Sequence, residues 1–189
     1  MALWGKTANS DEAKPKYLTA AQKKNTFADS RGWVYTQPSG LEEVLVSIGG
    51  LSTTLSNATV SAVSFVTTSF SETAGGNIDI QVTYNEKVTV DTSGGTPTIT
   101  ITNSQAGSGS SATVSAAYQS GSSTNKLVFR HTQAADDGST TNGIAATDVL
   151  SVVVAQNIAL NSGTIKDAGT ATNSGVALVA ADGTLTASV

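Results

Sequence analysis

Apolar and polar residues alternate along the chain from about residue 60 onward. In "IDIQVTYNEKVTV" this alternation gives one face to Ile78, Ile80, Val82 and Tyr84, and the other to Asp79, Gln81, Thr83 and Asn85. The same period recurs in "PTITITN", "ATVSAAYQS", "KLVFRH" and "LSVVVAQNIAL", while "VSFV" and "GVALVAADGTLTASV" complete the set. A period of two is typical of half-buried strands, so the sequence predicts about seven of them.

Turn-forming residues separate these strands. They are Gly75-Gly76, Ser93-Gly94-Gly95, the Gly/Ser run at 107–111, "SGSSTN", "DDGSTTNG" and Asp182-Gly183. Glycine and short polar residues supply the backbone angles that tight turns require. Several short strands with regular turn signals are typical of a sandwich. We therefore predict an all-β immunoglobulin-like β-sandwich over residues 60–189.

Residues 1–55 have a different pattern and are predicted to form a separate docking region. "RGWVYTQPSGLEEVLVSIGG" predicts two short strands, near Trp33–Gln37 and Val44–Ile48, joined by "PSG". A helix beginning at Ser39 is the alternative, because Ser39 and Glu42 fit a capping box. Residues 1–30 show no sustained period, which indicates an extended arm.

The arm and hairpin contain large apolar side chains that a short segment cannot bury alone. Tryptophan and tyrosine are favoured anchors at protein interfaces. We therefore expect this region to contact a partner subunit, although Trp4 could instead fold back onto the hairpin at Trp33. The candidate docking residues are Leu3, Trp4, Tyr17, Phe27, Trp33 and Tyr35.

Composition and charge exclude several classes of function. The chain has no cysteine, which excludes disulfides and Cys-ligated zinc. Residues 1–50 carry a net charge of +1 and the remainder −5, so nucleic acid is not expected as a partner. No apolar run approaches the ~20 residues of a membrane helix. Neither a membrane contact nor an export signal is expected.

Candidate chemistry is sparse. The single histidine, His131, could act as a general base, but a strand-end position explains it equally well, and we predict no enzymatic activity. Calcium could bind acidic side chains in turns or at strand ends, although these residues are also ordinary turn formers. The acidic candidates are Glu72, Asp136, Asp137, Asp148 and Asp167. A row of Thr98, Thr100 and Thr102 could contact a glycan or simply face solvent.

Residues 60–189 resemble the bacterial and phage Ig-like (cadherin-like) repeats of large surface and virion proteins. The resemblance is carried by "VTYNEKVTV", "TPTITI", "YQSGSSTNKLVF" and "GTIKDAGT". At the N-terminus, "MALWG" and the "GW" strand before "EEVLVSIGG" resemble the start of small structural proteins of large tailed phages that infect marine bacteria. Together these resemblances imply a virion structural protein.

The resemblance implies capsid decoration as the first expectation. Residues 1–55 would dock on the major capsid protein or a neighbouring virion subunit, and the Ig-like domain would face outward on the particle. A homo-oligomer is compatible with this arrangement, and host-surface glycans are a further candidate partner. The alternatives are a neck, tail or fibre protein, and a carbohydrate-binding adhesin module. We expect no cofactor, and calcium is the one candidate.

Overall fold

The computed structural model describes residues 14–29, 31–47, 57–104, 110–136, 143–153 and 156–189. These residues form one short helix, α1 (Ala20–Lys24), and thirteen strands. The strands are β1 (Thr26–Asp29), β2 (Gly32–Thr36), β3 (Glu42–Val46), β4 (Val60–Phe65), β5 (Phe70–Ser71), β6 (Gly76–Asp91), β7 (Thr98–Asn103), β8 (Thr113–Ser120), β9 (Thr124–Gln133), β10 (Val149–Ser151), β11 (Thr164–Asp167), β12 (Ala181–Asp182) and β13 (Leu185–Ser188). The prediction of an all-β fold is confirmed.

The predicted hairpin is present, and the alternative helix beginning at Ser39 is wrong. Strands β2 and β3 pair antiparallel, with Tyr35 opposite Glu43. The connecting turn is closed by a hydrogen bond from the Gly40 amide to the Gln37 carbonyl, and Gly40 adopts a φ of 86°. A positive φ suits glycine and is incompatible with continuing a helix through this position.

The described part of residues 1–30 is not the extended arm that the sequence predicted. It contains α1, whose capping box joins Thr19 to Gln22, followed by strand β1. The helix has only five residues, too few to show a 3.6-residue period. Local capping and the following strand therefore define this segment, and its apolar pattern could not have revealed them.

Strand β6 organises the fold. It is sixteen residues long and pairs with β1, β4, β9 and β11. The strand order of the described residues is β3-β2-β1-β6-β9-β8-β7-β10-β13-β5, with β4, β11 and β12 branching from it. The N-terminal hairpin and the predicted sandwich are thus hydrogen-bonded to each other through β1, at Ala28 opposite Glu86.

The strands curl into a sandwich-like arrangement around one apolar core. Its largest fully buried members from the predicted sandwich are Tyr84, Phe129, Ile78, Ile80, Ile99, Ile101, Leu127, Ile144, Leu150 and Ile165. Most of these residues belong to the alternating positions that the sequence assigned to the inner face. The described residues between 60 and 189 form ten strands rather than about seven. The additional ones, β5, β11 and β12, are short, and β12 and β5 pair parallel with β4 and β13.

A break in register divides β6 into two parts. Its pairing with β9 runs regularly to Thr83 opposite Lys126 and then shifts, so that Val88 lies opposite Thr124. Beyond this bulge β6 pairs with β11, with Val88 opposite Asp167. Bulges redirect side chains and change strand partners. None of the helices among the described residues is long and apolar enough to cross a membrane.

Candidate functional site

The outer edge of the N-terminal hairpin is the first candidate site. Strand β3 is terminal in the strand order; Leu41, just before it, and Val44, within it, have 62% and 42% of their surface exposed. An edge strand presents backbone groups that can pair with another chain. We call Leu41–Val46 the β3 edge, and its exposed apolar side chains suit it to contact with a protein.

Charged contacts fix the β3 edge to the sandwich. Glu42 accepts a hydrogen bond from Arg31 at 2.6 Å and lies 3.3 Å from the Lys87 ammonium of β6. The hydrogen bond from Arg31 is the largest influence on Glu42, and with Lys87 it lowers the pKa of that carboxyl. The Lys87 ammonium also lies 5.3 Å from the centroid of the Phe27 ring. These contacts tie the start of β3 to β6, although β2 and β1 lie between the two strands in the sheet order.

The predicted docking residues are distributed between the surface and the interior. Tyr17 is exposed and Tyr35 is partly buried. Phe27 and Trp33 are buried within the chain, so neither side chain is available to a partner in this conformation. Phe27 lies in β1, which pairs with β6, and its ring is 5.3 Å from the Lys87 ammonium of that strand, a long-range contact that local sequence does not indicate. The remaining two candidates, Leu3 and Trp4, lie outside the described residues.

The acidic candidates for calcium do not form a single site. Glu72 and Asp148 lie at one loop, where they accept hydrogen bonds from the neighbouring amides of Ala146 and Ala145 at 2.6 and 2.9 Å. Asp136 joins this region through its amide, which donates to the Glu72 carbonyl. Asp137 lies outside the described residues. Within the described ranges no group of three or more His, Cys, Asp or Glu residues is placed to hold a metal ion.

His131 lies at the end of β9 and not beside a reactive group. Its Nδ1 is 2.9 Å from the Ser115 carbonyl oxygen, to which it can donate a hydrogen bond, and its Nε2 is buried without a partner. In the described part of the chain no carboxylate is hydrogen-bonded to this ring. The geometry is that of a strand residue anchored to its neighbouring strand.

Hydroxyl groups cover part of the outer face of β7 and β8. Thr100 lies opposite Ser115, and Thr102 lies opposite Thr113. Thr100, Ser115 and Thr113 are exposed, whereas Thr102 is partly buried. Thr98 accepts a hydrogen bond from Asn161 at 3.1 Å and is therefore already engaged. The result is a flat patch of side chains that can both donate and accept hydrogen bonds.

The fifth acidic candidate, Asp167, is buried beside a carboxyl that the sequence reasoning missed. Glu86 is 3% exposed and Asp167 1% exposed. Burial is the main cause that raises the pKa of Glu86 to about 9, and the neighbouring Asp167 carboxylate is the second cause. The sequence did indicate that Glu86 faces inward, because Glu86 continues the alternating series of Ile80, Val82 and Tyr84. This alternation places a carboxyl group at a core position.

Comparison with known proteins assigns this chain to no family. No family model, curated protein or solved structure matches the chain. The candidate sites therefore stand on their own structural features. The β3 edge and the hydroxyl patch face solvent, and the Glu86–Asp167 pair lies inside the fold.

Proposed function

We propose that the chain is a non-enzymatic structural protein of a phage particle, acting in capsid decoration. The N-terminal region docks on the major capsid protein or a neighbouring subunit, and the sandwich faces outward. The observation that carries the proposal is the β3 edge, where a terminal strand contains the exposed Val44 and follows the exposed Leu41. The sequence resemblance to virion proteins supplies the class of partner.

Docking at this edge combines two physical contributions. Added backbone pairing along β3 provides hydrogen bonds in a defined register, and burial of Leu41 and Val44 provides apolar contact. The ion pairs at Glu42 keep the strand ordered before the partner arrives, which reduces the entropy lost on binding. The outward sandwich needs only to remain folded, and its polar outer face suits that position.

Particle binding by matched surface variants tests the proposal. Particles of the phage that encodes this chain, prepared without it, are mixed with purified protein and sedimented. We expect the full chain to bind, and Leu41→Lys and Val44→Lys to bind at least about tenfold more weakly, because each charge opposes apolar burial. Val66→Lys is the control, since Val66 is an exposed valine after β4, at 52% exposure.

The outcomes separate the site from the function. If full chain and all three variants bind equally, docking does not use the β3 edge. If electron microscopy of intact particles finds the protein only at the neck or tail, capsid decoration is wrong and the structural class remains. Absence of the protein from particles would refute the virion proposal.

Carbohydrate binding is the second candidate, favoured by the hydroxyl patch on β7 and β8. Hydroxyl side chains held flat by paired strands can hydrogen-bond a polysaccharide. A glycan array probed with the full chain and with the Thr100→Val, Thr113→Val double variant tests this function. Binding that disappears in the double variant but persists in a Thr89→Val control would support it, whereas failure of the full chain to bind any glycan would refute it.

A further inference from the structure

The segment before α1 forms a tight turn that presents two exposed side chains. The Leu18 amide donates to the Pro15 carbonyl at 3.3 Å, which closes a β-turn with Lys16 and Tyr17 at its centre. Pro15 and Leu18, at the two ends of this turn, are buried. Lys16 is exposed, and Tyr17 has 68% of its surface exposed. We call residues 15–18 the Lys16 turn.

A buried lysine anchors the Lys16 turn to α1. The Lys14 side chain is 2% exposed, and its ammonium donates a hydrogen bond to the Lys23 carbonyl at 2.5 Å. A cation at the C-terminal end of a helix interacts favourably with the carbonyl groups there. The turn is therefore held in position before any partner arrives.

The Lys16 turn lies at the same end of the N-terminal region as the start of the β3 edge. It is bonded to the last turn of α1, which leads into β1. There the Thr36 amide, at the end of β2, donates to the Asn25 carbonyl. Thr36 also lies opposite Glu42, the first residue of β3. Tyr17 and Leu41 are therefore two exposed side chains at one end of the same unit.

Positive charge surrounds the Lys16 turn without enough negative charge to balance it. Residues 14–28 contain four lysines and neither aspartate nor glutamate. One of these lysines, Lys24, is paired with Asp182 of β12 at 2.5 Å. Lys16 and Lys23 form no ion pair with any residue that the structure describes. Two ammonium groups near the exposed ring of Tyr17 are thus uncompensated within the described part of the chain.

We infer that the Lys16 turn docks on an acidic surface of a neighbouring particle protein. Tyr17 enters an apolar pocket of that protein, and Lys16 and Lys23 face carboxylates around the pocket. An aromatic side chain on an anchored turn is typical of the residues that dominate interface energy, because little ordering is needed on binding. Charges around it steer association and reject partners of the same sign. This inference rests on the proposed function, because it specifies the chemistry of the subunit on which the N-terminal region docks.

Other negatively charged partners fit this surface less well. A DNA-binding protein neutralises about 6–10 phosphates, and a polybasic membrane anchor uses about 4–8 lysines or arginines, whereas the turn offers two uncompensated lysines. A second copy of this chain offers few available carboxylates. In its sandwich Asp79 and Asp182 are already paired with basic side chains of their own chain, and Glu86 and Asp167 are buried.

Zero-length cross-linking on intact particles identifies the partner directly. A carbodiimide couples a lysine to a carboxylate only where the two groups are in contact. We expect mass spectrometry to find Lys16 or Lys23 joined to an aspartate or glutamate of a different particle protein. The pair of Lys24 with Asp182 is the internal control for the reaction. Cross-links from Lys16 and Lys23 only to a second copy, or none from either while the control pair is joined, would overturn the inference.

Variants measure the contribution of the turn. Particles prepared without the chain are mixed with purified protein and sedimented at about 50 and 300 mM NaCl. At the lower salt concentration Tyr17→Ala and Lys16→Glu should each bind at least about tenfold more weakly than the full chain. Binding of the full chain should also weaken as the salt concentration rises. Lys166→Glu, exposed on β11, makes the same change in net charge and should bind as the full chain does.

The outcomes distinguish this inference from the proposed function. Equal binding by the full chain, Lys16→Glu and Tyr17→Ala would refute docking by the turn and leave the virion function standing. Equal losses in Lys16→Glu and Lys166→Glu would mean that net charge alone attracts the chain, which would also overturn the inference. Binding of duplex DNA or phosphatidylserine vesicles that Lys16→Glu abolishes would assign the turn to another partner. Absence of the protein from particles would refute both the function and the inference.

Discussion

Replacing Glu86 with Gln is expected to change how the stability of this protein depends on pH. The buried Glu86 carboxyl has a pKa of about 9, against an ordinary value of 4.5. Burial is the main cause, and the adjoining Asp167 carboxylate adds to it. Because the folded-state pKa is raised, the folded protein holds a proton that the unfolded chain releases over the interval between these values.

The sign of the effect follows from this proton. The stabilisation linked to Glu86 is fully present below about pH 4.5 and is lost as the pH rises through the folded-state pKa of about 9. The loss is about 1.4 kcal/mol per pH unit in this interval, which amounts to about 3 kcal/mol by pH 7. Glutamine fills the same volume and does not titrate, so Glu86→Gln should not show this loss.

Urea denaturation of the protein between about pH 5 and pH 8.5 measures the difference. We expect the unfolding free energies of the variant and the original chain to converge at the acidic end. The variant should become progressively more stable as the pH rises. Glu43→Gln, exposed on β3, should follow the original chain throughout. Parallel curves for Glu86→Gln and the original chain would refute the reasoning, because they would mean that Glu86 is ionised in the fold.

Three further predictions concern the sandwich itself. Phe129→Ala removes a fully buried ring and should lower the unfolding free energy by about 3–5 kcal/mol in urea titrations; a change below about 1 kcal/mol would contradict its core position. Gly121→Ala places a Cβ against a backbone carbonyl of β9 at a φ of 107° and should reduce the melting temperature more than Gly40→Ala, where the space is open; equal shifts would contradict the clash. Arg130 donates two hydrogen bonds to the Asp79 carboxylate, and these are the main cause of the lowered pKa of Asp79. The pair should therefore stabilise the fold at neutral pH. This contribution should be lost as the pH falls through the lowered pKa. A double-mutant cycle with Asp79→Asn and Arg130→Gln should give a small favourable coupling at pH 7 that fades in acid, because both side chains are partly exposed; no coupling at pH 7 would contradict it.

The sequence alone determined the local elements of this protein. Alternating positions in β6, β7 and β9 predicted both the strands and the residues that face the core, because a strand's side-chain period is set by its backbone. The valine, isoleucine and aromatic residues on either side of "PSG" favoured the hairpin, whereas the capping-box pattern of Ser39 and Glu42 left a helix open. The five-residue helix could not be recognised, since one turn is too short to display a period.

Only the tertiary structure decided what lies next to what. The fold pairs β1 with β6 and buries Phe27 and Trp33, two residues that the sequence predicted as surface anchors. The same fold brought Asp167 beside Glu86, eighty-one positions earlier in the chain, and so created a buried pair of carboxyls. Such contacts depend on which distant strands lie side by side; residue periodicity constrains the face of each strand and does not identify its partner. Periodicity could place Glu86 on the inner face, but it could not say which residue would meet it there.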